Sequence, residues 1–226
     1  MPAGIRITIM TTSSLPRLLT WLSPAFPTGG FAYSHGLEWA VEAGDVADEA
    51  GLLDWLGDVL RHGSGRTDAI LLRHACRARD AVALRAVAVL AAAVQPGRER
   101  RLEALGQGDA FALAARVWGV PLLKGLDGVA YPVAVGALAA AQSVFENDAA
   151  LGLLHAVAAN LIGAAVRLVP LGQTAGLRVL SALEPALHAV AEESAGAGLE
   201  DIGGACFRSD IAAMRHETQY TRLFRT

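Results

Sequence analysis

The stretch AALGLLHAVAANLIGAAVRLV, residues 149–169, decides the fold. It is long and apolar enough to pose a choice between a membrane span and the central helix of a folded core, since about 20 apolar residues cross a bilayer. It carries His155, Asn160 and Arg167, and alanine rather than leucine dominates it. Polar side chains at mid-membrane depth are costly, and alanine offers helices a surface on which they approach closely. The stretch therefore reads as a buried helix of a water-soluble bundle, capped by Asp148 and ended by Pro170.

Working outward, nearly every periodic segment is helical. Upstream, Tyr33, Leu37, Ala40 and Val41 fall on one face of a predicted helix, with Ser34, Glu38 and Glu42 on the other. Gly44 is a stop. A helix near 48–62 points Leu52, Leu56, Val59 and Leu60 inward, another runs from Thr67 to about Arg79, and Asp80 caps a third that Pro96 and Gly97 end. Residues 98–119 read as helix with a break at Gly106–Gly108. Residues 131–146 form a helix that accepts Pro132 in its first turn. Downstream, a helical pattern runs from Gln173, with Pro185 kinking it or opening a new helix. Residues 192–204 are polar and glycine-rich, the pattern of a flexible link. The only strand-like piece is Ile5–Met10, and one strand makes no sheet. The fold class is all-α, a compact multi-helix domain. Its predicted organisation is a flexible N-terminus over 1–14, a helical domain over 15–200 and a C-terminal tail over 201–226.

Composition bounds the function classes. The chain has 226 residues, 53% of them hydrophobic and 18% charged, which excludes disorder over most of its length. Its mean hydropathy of +0.38 is high and implies an interior large for its size together with some apolar surface that a partner covers. The net charge is −3 and no basic block exists, a poor profile for binding nucleic acid. Cys76 and Cys206 make no disulfide framework, and without a signal peptide they suggest the reducing cytosol.

The opening stretch SPAFPTGGFAYSHGLEWA, residues 23–40, invites four chemical readings. Thr28, Gly29 and Gly30 before a helix could cradle phosphate, but no strand precedes them and Lys124, the single lysine, is distant. The plainer reading is a tight turn that delivers Phe31 onto the core. Ser34 and His35 as neighbours on a helix diverge by about 100°, so they share no proton, and Cys76 and His74 diverge likewise. His35 and Glu38 stand at i, i+3 and could reach one ion, yet the other histidines are scattered and no cysteine pair is spaced for a metal. What remains is a shaped contact surface.

The far end of the chain complements it. Arg208, Arg215 and Arg222 are seven residues apart and Arg225 follows. On a helix they would form one stripe. Ile211, Met214, Tyr220, Leu223 and Phe224 add apolar anchors. Residues 208–226 read either as a solvated helical tail or as a docking tail, and the second is favoured because arginine and aromatic anchors are what buried interfaces use.

Three blocks of this sequence, residues 18–44, 159–176 and 209–226, resemble in order the N-terminal, central and C-terminal segments of the UreF-type urease accessory proteins. The resemblance implies an all-helical, cytoplasmic, non-catalytic protein that helps load nickel into apo-urease. It implies a bridge between the accessory protein UreD (also called UreH) and the GTPase UreG, with a homodimer in the assembled complex. No cofactor is expected to be tightly bound, nickel being handled by the complex. Partner-binding residues are expected at both ends: Gly29, Gly30, Tyr33, His35 and Glu38 in the turn, and Arg208, Arg215, His216, Glu217, Tyr220, Arg222, Leu223, Phe224 and Arg225 in the tail. The tail is expected to order against the turn, Arg222 or Arg225 meeting its backbone carbonyls, when UreD binds. Tyr33, His35 and Glu38 are expected to help present the surface that receives UreG. The alternative role is regulation of GTP hydrolysis by UreG, for which Gln173, Arg178 and the tail arginines are candidates by residue type.

Overall fold

The computed structural model describes residues 14–226. The readings of 1–14 and of the strand-like piece therefore fall, except for Ser14, outside the described residues. Among the described residues the fold is all-α, with no strand. The helices are α1 (Leu15–Trp21), α2 (Leu37–Glu42), α3 (Glu49–His62), α4 (Ser64–Arg77) and α5 (Ala81–Ala93). They continue as α6 (Arg98–Ala115), α7 (Tyr131–Ala141), α8 (Glu146–Leu168), α9 (Gly172–Glu193) and α10 (Phe207–His216).

Local chemistry explains the starts. Asp48 accepts a hydrogen bond from the Gly51 amide and Asp80 one from the Ala83 amide, each 2.8 Å, so both act as N-caps. Pro132 sits in the first turn of α7, where no intrahelical donor is lost. Other boundaries differ from the sequence reading. α8 starts at Glu146, placing Asp148 inside its first turn rather than at its cap. α9 continues through Pro185. α6 runs unbroken past Gly106 and Gly108, because Gly108 is where α6 meets another segment. A Cβ there would lie 1.8 Å from the Val129 carbonyl oxygen.

Two clusters form the core. One surrounds α7, whose Val133, Ala134, Val135, Leu138 and Ala139 are fully enclosed, with Trp21, Leu71, Leu84 and Phe111 among the residues packed around it. The other joins Leu52, Leu56 and Val59 of α3 to Leu161 and Ile162 of α8 and to Val179, Leu183 and Leu187 of α9. α8 contributes to both clusters and contacts α2, α3, α4, α7 and α9. It is long and apolar enough to cross a membrane, and half of its most apolar window is buried inside the protein.

The segment after α9 is tied down. His74 bonds the Ala197 carbonyl, Arg77 the Ala195 carbonyl and Arg66 the Asp201 carbonyl. The expected flexible link at 192–204 is thus held along α4, and it brings α10 back against α2 and α6.

Candidate functional site

The two ends of the described chain meet. Residues Tyr33–Gly36 are not helical: His35 has φ 61° and Gly36 has φ 78°. A Cβ on Gly36 would stand 2.5 Å from the Ala213 amide nitrogen, so only glycine allows α10 to lie directly on this turn. Ser34, enclosed by that approach, donates from its amide and its hydroxyl to the Thr226 carbonyl. The Arg225 amide donates to the Ala32 carbonyl at 2.8 Å.

Below this contact lies a buried polar hub. Glu38 accepts the Leu223 amide at 2.6 Å and the Phe224 amide at 2.9 Å, and its Oε2 lies 3.1 Å from His216 Nε2. His216, fully enclosed, turns Nδ1 to Glu99 at 2.6 Å. Arg222 donates to the other Glu99 oxygen at 2.7 Å. Thr226 donates from its hydroxyl to Glu103 at 2.8 Å. Glu103 also pairs with Arg100 and faces His35, whose Nε2 meets the Ser64 hydroxyl. Burial pushes the Glu103 carboxyl up, but Arg100 and His35 outweigh it and hold it well below the usual carboxylate range. Burial, aided by Arg100, lowers His35. Burial raises Asp68 to about 7 against the opposing pull of Arg100.

Several sequence expectations change here. Ser34 and Glu38 face inward, not outward, because the turn before α2 is not helical and α10 covers them. Tyr33, His35 and Glu38 are all buried and so lie beneath the surface rather than on it. Phe31 is 71% exposed rather than on the core. The Gly30 carbonyl is taken by Asn160 and the Phe31 carbonyl by Arg167, rather than by tail arginines. The tail arginines form no single stripe, since α10 ends at His216. Arg208 pairs with Asp58 and lies over Trp55, while Arg222 turns inward to Glu99. Glu217 accepts the Arg98 and Glu99 amides and so caps α6 from outside. His35 and Glu38 do not converge on one point. Among the described residues no group of three His, Cys, Asp or Glu side chains is placed to hold a metal ion.

Sequence reasoning missed Glu99 and Glu103. They stand at i, i+4 on α6 and both are buried; the spacing shows that they share one face, but nothing in the sequence turns that face inward. It also missed Arg167, whose guanidinium lies 4.3 Å over the Phe224 ring. Large apolar side chains of the turn, α10 and the tail stay on the surface: Phe31, Ile211, Met214, Tyr220 and Leu223 are exposed, interspersed with Arg215, Arg222 and Arg225.

A family model described as UreF matches residues 46–184. The chain belongs to the UreF family. Among its relatives, a urease accessory protein UreF of Rhodopseudomonas palustris strain HaA2 is 54% identical, covering 95% of this chain and 94% of that protein. The protein of the same name from Bradyrhizobium sp. strain BTAi1 is 54% identical over 94% of this chain and 92% of its own length. In this UreF-family protein the hub spans more than the matched region, since Glu38 precedes residue 46 and His216 follows residue 184.

Proposed function

We propose that the protein is an accessory factor of urease maturation, a non-catalytic cytosolic scaffold that bridges UreD (UreH) and the GTPase UreG while nickel is passed to apo-urease. Family membership supports the accessory role. The observation that carries the scaffold reading is the surface over the hub. Buried Glu38, His216 and Glu99 hold residues 222–224 in place, while Ile211 and Met214 of α10, Tyr220 and Leu223 of the tail and Phe31 of the turn stay exposed as apolar anchors. Rigid aromatic and aliphatic side chains on a held backbone suit a protein partner, because little conformational entropy is lost on docking. The reading includes a homodimer in the assembled complex and no tightly held cofactor.

The test is a truncation that removes residues 220–226 and keeps α10. Co-purification with UreD should be lost, while far-ultraviolet circular dichroism keeps its helical signal. Normal co-purification of the truncated protein would refute the docking role of the tail. Turnover of GTP by UreG, measured with and without this protein, separates a scaffold from a regulator of hydrolysis. Of the residues that the regulator reading named, Arg178 is engaged in a bidentate pair with Glu49.

A further inference from the structure

Beside the hub lies an open groove of about 770 Å³, walled on one side by α6 and on the other by the tail. Arg98, Leu102 and Gly106 stand at i, i+4, i+8 and line the α6 wall. Arg222, Phe224 and Arg225 line the opposite wall, with Tyr33 between the two. Gly106 keeps the floor low, since a Cβ there would lie 3.1 Å from the Tyr33 hydroxyl.

The charges in this groove are not balanced. Its carboxylates are already engaged, Glu99 by His216 and Arg222 and Glu217 by the first amides of α6. The guanidinium groups of Arg98 and Arg225 make no hydrogen bond and no ion pair among the described residues; only their backbone amides are used. Two unpaired guanidiniums therefore line the same trough, in a chain whose net charge is −3. Leu102, 57% exposed, adds an apolar contact on the wall.

The geometry points to an acidic segment of a partner protein as the occupant of this groove, its carboxylates on Arg98 and Arg225 and an apolar side chain on Leu102. Planar guanidinium forks pair bidentately with carboxylates, and opposed charges across a docking groove set register and speed association. The inference deepens the scaffold role and rests on it only for the identity of the partner.

The experiment has two arms. In the first, fluorescence anisotropy follows a fluorescein-labelled peptide of alternating glutamate and leucine added to the full chain. Binding should weaken about tenfold in the double variant Arg98→Glu, Arg225→Glu, and it should fall as sodium chloride rises from about 50 to about 300 mM. Arg85→Glu, a charge reversal on α5 away from the groove, should leave binding unchanged. Unaltered melting of the double variant excludes misfolding. The inference is overturned if the peptide fails to bind the native chain, binds both proteins alike, or is lost equally in Arg85→Glu. In the second arm, the same variants are titrated with UreD and with UreG. Native protein that captures the peptide but neither partner would refute the scaffold reading and leave the acidic-segment site standing.

Discussion

Glu38 concentrates at one side chain what holds the two ends together. Its carboxylate accepts two tail amides and faces His216, all within the buried hub. Glu38→Ala would leave these donors without acceptors, and each orphaned buried group costs about 1–3 kcal/mol. We expect a loss of about 3 kcal/mol in urea unfolding, together with weaker recruitment of UreG by the UreD-bound protein. Unchanged unfolding would show that the tail is held elsewhere. Asp68 offers a different test, because burial raises it to about 7 beside Arg100 and Glu103. A raised carboxyl binds its proton in the folded chain at a pH where the unfolded chain has released it. Its contribution is therefore favourable at low pH and is lost as pH rises from about 4 to about 7. His35 acts in the opposite sense, its lowered pKa costing stability as pH falls through 6.5. The difference between Asp68→Asn and the native chain isolates Asp68. The variant should gain about 2 kcal/mol relative to native between pH 5 and pH 8, read from urea midpoints at each pH. A gap that is constant across that range would contradict the assignment. None of this was visible in the sequence, where Glu38 and Ser34 sat on the predicted outer face.

At the scale of elements, glycines separate the legible from the illegible. The aspartate cap of α5 and the early proline of α7 could be read directly, because a cap is a contact between residues three apart. The glycines of α6 could not. In sequence Gly106 and Gly108 look like a helix break, yet α6 runs straight through them. Gly108 lets α6 press onto the Val129–Tyr131 backbone, a contact across some 20 residues of chain that no local pattern reveals. Gly108→Ala should therefore cost more than 3 kcal/mol, roughly the scale of severe core overpacking, or prevent folding. Gly163 on α8 has open space around it, so Gly163→Ala should stabilise the helix by about 0.5–1 kcal/mol. Thermal melts of the two variants should move in opposite directions, and matching shifts would undo this account of the two glycines. The same logic explains α10. Its arginines at seven-residue spacing suggested one long stripe, but helix ends at His216 as the chain turns to deliver Arg222 to Glu99.

For the whole molecule, alanine-rich periodicity determined the class of fold. Helix after helix with small residues on the apolar faces leaves close-packed helices as the way to bury that surface, and α8 is shared between two core clusters. The order of the three family-like blocks likewise pointed to the UreF family, since a family signature is carried in local sequence. The chain by itself also singled out both ends, because glycine turns and arginine–aromatic clusters stand out wherever they lie. What it could not decide was how those ends meet. Glu38 and His216 are 178 positions apart, and Glu99 and Glu103 come from a third element. Spacing along a chain fixes which side chains share a helix face, but not which faces are brought together. That depended on the packing of α10 onto Gly36 and α6. Only there did exposed-looking acids become a buried hub and scattered arginines become the wall of a groove.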